Sequence, residues 1–226
     1  EYTEMHGYAG KEYDWLDSGS LVEPHKQTTL TAFLPAGVSP SSVHMHWHAG
    51  GDITSTGKIE AAESNDGTGW QIETVFPVPG QYTVEMEVGH LSGAVSLVAR
   101  NITCRYVRRE IRSLSYDDRN RFFDAAEALM NLDTDPTIAV ATNWTRGLAY
   151  YVRKHLRNAV ANKRSDRMHD GMGFLTQHLA ITSDYERALQ AMDAQVCLPY
   201  WDFTIDAARY NLSGWEQASL WDTDLW

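Results

Sequence analysis

The stretch His169-Asp-Gly-Met-Gly-Phe-Leu-Thr-Gln-His178 decides how the second half of this sequence folds. It starts in a loop and runs into a segment whose apolar side chains recur at helical spacing. This periodicity predicts a helix over residues 171–192 with one apolar face toward a core. The side chains on that face are Phe174, His178, Ile181, Tyr185 and Leu189.

A second helix with a histidine on its apolar face is predicted over residues 145–162. If the two helices pack antiparallel through these faces, His155 and His178 share one interior, which His169 reaches from the loop. Three neutral imidazoles can hold one copper or zinc ion and leave a position open for chemistry. The spacing therefore allows a metal site, and it equally allows ordinary core histidines. The face of this second helix consists of Leu148, Tyr151, Val152, His155 and Ala159.

A third helical segment lies upstream of these two. Ser115-Tyr-Asp-Asp118 has the form of a capping box, which marks a helix start. Phe122, Ala126 and Leu129 follow on one stripe. Because the pattern is helical from Cys104 onward, we expect an all-α domain over residues 104–226.

The first half has the pattern of short strands separated by turns. Residues 81–88 alternate strictly between apolar and polar side chains, which is typical of a half-buried strand. Several short strands at this spacing favour an antiparallel β-sandwich over residues 1–103. Trp47 and Tyr82 look like the core tryptophan and corner tyrosine of immunoglobulin-like domains, a likeness of architecture that does not indicate function. The predicted strands cover 28–34, 43–48, 57–62, 69–76, 81–88 and 94–99.

Composition and charge exclude several classes of partner. Of the 226 residues, 43% are hydrophobic and 22% are charged, as in ordinary soluble globular proteins. The formal net charge of −11 argues against binding nucleic acid or an anionic membrane, since both require a positive surface. No run approaches the roughly 18 consecutive apolar residues of a membrane span, so none is expected.

Two cysteines allow either one intramolecular disulfide, Cys104–Cys197, or two buried free thiols. Three glycosylation sequons favour the disulfide, because together they indicate a secreted glycoprotein in an oxidising environment. The acceptor asparagines are Asn101, Asn143 and Asn211. The sequence also starts at Glu1 without an apolar signal region, as a processed secreted protein would.

The order of motifs in the helical half resembles the first-copper half of the type 3 copper proteins, the tyrosinases, catechol oxidases and haemocyanins. The resemblance covers about residues 104–205. Each motif is weak alone, but their joint order is specific. The motifs are the entry segment Val107-Arg-Arg-Glu-Ile-Arg-Ser-Leu114, His155, His169, Phe174-Leu175, His178, Tyr185-Glu-Arg-Ala-Leu-Gln190 and Pro199-Tyr-Trp-Asp202.

The resemblance implies that His155, His169 and His178 are the ligands of one copper ion. It also suggests Glu186 and Asp202 as hydrogen-bond acceptors that orient imidazole N–H groups or backbone around the site. For Glu186, an exposed salt bridge with Arg187 or a lysine is an equal alternative.

Three departures from the family pattern stand out. The residues around the third histidine are Thr176-Gln177 and Leu179, where the family often has Pro-Trp and Arg. No cysteine lies near His169, so the thioether to a copper histidine in some members cannot form. No histidine follows His178, although the family uses two coppers with three histidines each. We therefore expect this chain to be an incomplete piece, with the second-copper half beyond Trp226; the alternative is a fold that has lost its chemistry.

Three further histidines alternate along one predicted strand, which puts His44, His46 and His48 on one face. They allow a separate metal site, but an exposed polar strand face is the favoured interpretation.

The resemblance implies copper-dependent oxidation of phenols or catechols to quinones with O2. Its partners would be a small phenolic substrate, O2, and a C-terminal half or complementary chain that carries the second copper. The alternatives are a non-enzymatic extracellular glycoprotein that uses the fold as a scaffold, and an oxygen carrier.

Overall fold

The computed structural model describes residues 20–33, 43–50, 59–60, 62–63, 69–90, 93–132, 145–160, 164 and 166–210. The chain divides into two compact units, Glu1–Val107 and Arg108–Trp226, a few residues later than the sequence pattern suggests. Residues just after Cys104 stay with the first unit because the Arg105 N–H donates to the Val22 carbonyl at 2.9 Å. The Val107 N–H likewise donates to the Glu23 carboxylate at 3.2 Å.

The described strands of the first unit form two sheets. One has the strand order β1-β8-β7-β3-β4 and the other β2-β6-β5. All neighbouring strands are antiparallel except β1 and β8, which are parallel. The strands are β1 Leu21–Val22, β2 Gln27–Phe33, β3 Val43–Gly50, β4 Ile59–Glu60, β5 Ala62–Glu63, β6 Gly69–Val75, β7 Gly80–His90 and β8 Val95–Cys104.

A single buried cluster joins the two sheets. Ala32 and Ile72 come from the three-stranded sheet and pack with Val84 and Ile102 of the other. The alternation seen in residues 81–88 is confirmed, since Tyr82 and Val84 are buried while Met86 and Val88 pack against the same cluster. The Tyr82 hydroxyl donates to the Val78 carbonyl at 2.5 Å and fixes the turn before β7.

The described residues of the second unit form four α-helices: α1 Tyr116–Asn131, α2 Leu148–Val160, α3 Gly173–Met192 and α4 Phe203–Tyr210. The predicted cap of α1 is confirmed, because the Ser115 hydroxyl accepts from the Asp118 N–H at 3.1 Å. Helix α4 was not predicted. Its start is held by Asp202, whose carboxylate accepts from the Thr204 N–H at 3.0 Å.

Helices α1, α2 and α3 share one apolar core. Its fully or almost fully buried members include Leu129 of α1, Tyr151 of α2 and Leu189 of α3. The Tyr151 hydroxyl also donates to the Asp184 carbonyl at 3.2 Å, which ties α2 to α3. This packing brings the two histidine-bearing helices side by side. Among the described residues, no helix has the combined length and apolarity needed to cross a bilayer.

The structure does not show the predicted Cys104–Cys197 disulfide, and both cysteines are free thiols in it. Cys104 is fully buried in the core of the first unit, and burial raises the pKa of its thiol to about 11. Cys197 belongs to the second unit, where its thiol donates to the Glu186 carboxylate at 3.3 Å. Each thiol thus has a place within its own unit.

Candidate metal centre

The three predicted histidines of the helical unit converge on one point. His155 lies on α2, His178 on α3, and His169 in the loop between them. Their ring centroids form a nearly equilateral triangle with sides of 5.1, 5.2 and 5.3 Å. One nitrogen of each ring can serve as a ligand, and these three nitrogens all lie within 4.8 Å of one another.

The loop before α3 holds His169 through local hydrogen bonds. The Asp166 carboxylate accepts from the backbone N–H groups of Met168 and His169 at 2.9 and 3.0 Å. The Met168 side chain, one residue before His169, is buried. Gly171 has a φ of 56°, which favours glycine, and a Cβ on Gly173 would lie only 2.8 Å from the Arg167 carbonyl oxygen. The two glycines between the histidines therefore let the chain turn tightly into α3.

Two of the three imidazoles are held in a defined tautomer. The His169 Nδ1–H donates to the Asp166 carboxylate at 2.6 Å, and the His178 Nδ1–H donates to the Phe174 carbonyl at 2.7 Å. With Nδ1 protonated, Nε2 carries the lone pair that a metal ion needs. The hydrogen bond from His169 lowers the pKa of Asp166, so the carboxylate stays ionised beside the ring.

The distance between the two helical histidines fits a shared ion. Nε2 of His155 lies 3.3 Å from Nε2 of His178. Two nitrogens bound to one ion at about 2.0–2.1 Å in a tetrahedral arrangement lie about 3.3 Å apart. An all-imidazole donor set suits copper and zinc and is a poor match for the oxygen-seeking Mg²⁺ and Ca²⁺. The residues present therefore fit a copper or zinc ion.

The surface around the trio is open and apolar. His155 and His178 are half-buried, whereas the His169 side chain is 43% exposed. A cavity of about 340 Å³ lies beside His155, and its wall includes Tyr151, Ile181 and Leu198. Large apolar side chains next to the histidines are about half exposed or more; they are Val152, Leu156, Phe174, Leu175 and Leu179.

The structure gives Glu186 partners other than the predicted imidazole. Its carboxylate forms a bidentate ion pair with Arg108, with distances of 3.0 Å to Nε and 2.6 Å to Nη2. It also accepts from the Leu198 N–H at 3.0 Å. Glu186 thus orients a backbone group, as one part of the prediction stated. That group is the Leu198 N–H, which lies in the segment after α3. The alternative for Glu186 was a salt bridge with Arg187 or a lysine; the salt bridge in the structure is with Arg108, and Arg187 pairs with Asp184.

Asp202 supports the fold at a different place from the one expected. Its carboxylate caps α4, and its carbonyl accepts from Arg112 Nη2 at 3.2 Å. The hydrogen bond from Thr204 lowers the pKa of the Asp202 carboxyl. The residue that does orient an imidazole, Asp166, was missed, although the spacing Asp166-Arg-Met-His169 was visible in the sequence.

The Glu186 ion pair makes the stability of the helical unit sensitive to acid. Burial raises the pKa of Glu186, but the hydrogen bonds from Arg108, Leu198 and Cys197 together outweigh it, so the pKa lies below its ordinary 4.5. A carboxyl whose pKa is lower in the folded protein than in the unfolded chain stabilises the fold at pH values above its pKa in the unfolded chain. This contribution is lost as the pH falls through the pKa that the carboxyl has in the folded protein.

We therefore expect the free energy of unfolding to fall as the pH drops below about 4.5, more steeply in the wild type than in Glu186→Gln. Urea unfolding followed by circular dichroism at several pH values measures both slopes. Above about pH 6 the difference between the two proteins should be constant. Equal slopes for the wild type and Glu186→Gln below about pH 4.5 would contradict the assignment of the lowered pKa to the Glu186 carboxylate.

The remaining predicted residues lie elsewhere. Asn101 is exposed in β8, whereas Asn143 and Asn211 lie outside the described residues. His44, His46 and His48 belong to β3, whose backbone pairing is described. Their side chains lie outside the described part of the structure.

Comparison with known proteins gives a family-model match within the helical unit. Residues 145–223 match the family model of the common central domain of tyrosinase. A tyrosinase of Streptomyces lincolnensis is 29% identical over 123 residues, which is 53% of this chain and 37% of that protein. A tyrosinase of Streptomyces glaucescens is 41% identical over 57 residues, 25% of this chain and 18% of that protein.

A more distant animal protein matches as well. Tyrosinase-like protein 2 of Margaritifera margaritifera is 28% identical over 120 residues, 53% of this chain and 23% of that protein. The chain thus spans less than two fifths of the length of each of these relatives. A family 76 glycoside hydrolase structure from a Bacteroides thetaiotaomicron strain aligns with 76% of this chain and 37% of its own, at a TM-score of 0.33 and 12% identity, too low to indicate a shared fold.

Proposed function

Because residues 145–223 match the family model of the common central domain of tyrosinase, we propose that the histidine trio holds one copper ion in a phenol or catechol oxidase. The reaction would convert the phenolic substrate to a quinone with O2. The observation that carries the proposal is the convergence of the three imidazoles within the matched segment, with two Nε2 atoms 3.3 Å apart.

His155, His169 and His178 would hold the ion through Nε2. Copper supplies one-electron redox chemistry when bound, and a second ion is needed for the two-electron reduction of O2. The chain itself orients the ligands. Asp166 keeps the proton of His169 on Nδ1, and the Phe174 carbonyl does the same for His178. Nε2 of His169 and Nε2 of His178, the nitrogens that would bind the ion, therefore stay free of protons.

The open apolar surface supports a site completed by further protein. Leu156 and Leu179 flank the trio and are 53% and 61% exposed. An exposed apolar patch rimmed by polar residues is typical of an interaction surface. We propose that a segment or chain with the second set of histidines covers it. Covering the patch would also exclude water from the metal, which strengthens the electrostatic interactions at the site.

Replacing Asp166 tests the role of the chain in shaping the site. We expect Asp166→Ala to weaken Cu²⁺ binding about tenfold to a hundredfold, the usual cost of removing a partner that orients a metal-bound histidine. Asp166→Asn should lose less, because its amide oxygen can still accept from the loop N–H groups. Competition with a chelator measures the affinity, and the ¹⁵N shifts of His169 report its tautomer.

Asp184→Asn provides the matched control for this experiment. Asp184 lies on α3 and pairs with Lys154 at 3.0 Å, away from the imidazoles. The Asp184→Asn variant should bind copper with the affinity of the wild type. If Asp166→Ala also binds copper with unchanged affinity, the proposed role of Asp166 is wrong.

The oxidase activity is tested on the natural, full-length protein. We expect it to contain copper and to convert catechol to a quinone that absorbs visible light. Copper-free protein without turnover would contradict the proposal and favour a structural glycoprotein. Reversible O2 binding without turnover would contradict the oxidase and favour an oxygen carrier.

We further propose that the protein is extracellular and that its first unit is immunoglobulin-like. The three sequons support the first proposal, and Asn101 is exposed. The hydrogen bond of Tyr82 to an upstream carbonyl supports the second, since corner tyrosines of immunoglobulin-like domains make this bond. Enzymatic removal of N-glycans, with a shift in mass as the expected result, tests glycosylation.

A further inference from the structure

The segment that carries the histidine trio is basic, although the chain as a whole is acidic. The full sequence has 30 acidic against 19 basic side chains. Residues 145–180 cover α2, the following loop and the start of α3, and they contain seven lysines and arginines against two aspartates and no glutamate. Both aspartates act within the loop: the Asp166 carboxylate holds His169, and the Asp170 carboxylate accepts from the Asp166 N–H at 2.8 Å. The basic side chains therefore dominate the charge around the trio.

Two arginines of α2 have no carboxylate beside them. Arg153 and Arg157 are exposed and lie one helical turn apart. Within the part of the chain that the structure describes, neither guanidinium forms a salt bridge. Other arginines of the same unit do, since Arg108, Arg112 and Arg121 each pair with at least one carboxylate. In a chain with an excess of carboxylates, this adjacent pair of guanidiniums is available to an acidic partner.

An exposed apolar stripe separates the two arginines from the trio. Val152, Leu156 and Val160 follow one another at intervals of four residues along α2. Because successive residues of an α-helix lie about 100° apart around its axis, these three side chains form one stripe. His155 lies on one side of the stripe and the two arginines lie on the other. The side chains of the stripe are 49%, 53% and 74% exposed, so this side of α2 is open to a further element.

We propose that the element that covers this side of α2 is an amphipathic helix whose apolar side chains pack on the stripe and whose carboxylates pair with Arg153 and Arg157. The inference rests on the proposed function, because it names the chemistry of the segment or chain that completes the copper site. Helices dock on apolar surfaces through side chains repeated every three or four residues, which matches the stripe. The two arginines lie about 6 Å apart along the axis of α2, so glutamates one turn apart on the covering helix can meet both.

Two synthetic peptides test the proposal on the whole, copper-free chain. The first is a fluorescent peptide of about 18 residues, long enough to form a helix, with a leucine stripe flanked by glutamates. The second has lysines in place of the glutamates. A protein of net charge −11 would by itself attract the lysine peptide. We nevertheless expect the glutamate peptide to bind about tenfold more tightly in anisotropy titrations, since it forms two ion pairs that the lysine peptide cannot form. Equal affinities, or a preference for lysine, would overturn the proposal. Because the chain is free of copper here, the result does not depend on whether the trio binds the metal.

Variants of the chain separate the charged contact from the apolar one. Arg157→Glu should weaken binding of the glutamate peptide about fivefold, the size of one exposed ion pair, and strengthen binding of the lysine peptide. Arg187→Glu is the matched control, because Arg187 is exposed on the side of α3 opposite His178 and should leave both affinities unchanged. Val152→Ser/Leu156→Ser should weaken binding of the glutamate peptide at least about tenfold, since it removes apolar area from the stripe. Circular dichroism verifies that each variant keeps its helices. If Arg157→Glu behaves as the control does, or if the serine variant binds as the wild type does, the proposed docking surface is wrong.

Discussion

His178→Gln should abolish tight Cu²⁺ binding at the helical trio, with a loss of affinity of a hundredfold or more. The imidazole of His178 contributes one of the two Nε2 atoms that lie 3.3 Å apart, so its removal leaves two ligands. Loss of a supporting partner alone costs about tenfold to a hundredfold in metal affinity, and loss of the ligand itself costs at least as much. A hundredfold corresponds to about 2.8 kcal/mol of binding free energy.

The measurement is a Cu²⁺ titration in competition with a chelator. Gln177→Ala is the matched control, since Gln177 is the exposed neighbour of His178 on α3. It should retain the affinity of the parent protein. If His178→Gln binds copper as tightly as this control, the trio is not the copper site.

The second large effect concerns the stability of the helical unit. Asp206 is 1% exposed and accepts from Arg112 Nη1 and from the Trp201 indole N–H, both at 2.6 Å. Asp206→Ala would leave a largely buried guanidinium and an indole N–H without this acceptor. Breaking a buried ion pair from one side costs about 3–5 kcal/mol. We expect a decrease of this size in the free energy of unfolding.

Urea unfolding followed by helical circular dichroism measures the change. The matched control is Asp117→Ala, which removes a carboxylate from an i,i+4 pair with Arg121 on the surface of α1. Its side chain is 78% exposed, and an exposed pair of this kind contributes less than about 1 kcal/mol. A decrease in Asp206→Ala no larger than in this control would contradict a structural role for the Asp206 network.

This network explains what the segment Pro199-Tyr-Trp-Asp202 does in the fold. Tyr200 pairs with the backbone on both sides of Glu110: its N–H donates to the Arg109 carbonyl, and its carbonyl accepts from the Ile111 N–H. Trp201 donates to Asp206, and Asp202 caps α4. The motif therefore fastens the segment before α4 to the beginning of the helical unit.

Local patterns predicted much of this architecture. The helical faces in residues 145–162 and 171–192 correspond to α2 and α3, and the alternation in 81–88 corresponds to β7. These predictions succeeded because a period of 3.6 or 2 is a local property of the chain. The convergence of His155, His169 and His178 followed from two such faces and one short loop.

Interactions between distant residues could not be predicted in the same way. The sequence did not reveal that Glu186 pairs with Arg108, because a salt bridge between segments so far apart depends on the packing of α3 against the start of the unit. Helix α4 is only eight residues long, too short for a convincing period. Asp166 could have been identified, since an aspartate three residues before a loop histidine can accept from both its backbone and its ring.

X-ray absorption of the Cu²⁺-loaded chain tests the central claim most directly. We expect one copper per chain, bound by three imidazole nitrogens at about 2.0 Å. Copper with a single imidazole, or with oxygen ligands alone, would contradict the assignment of the helical trio as a copper site.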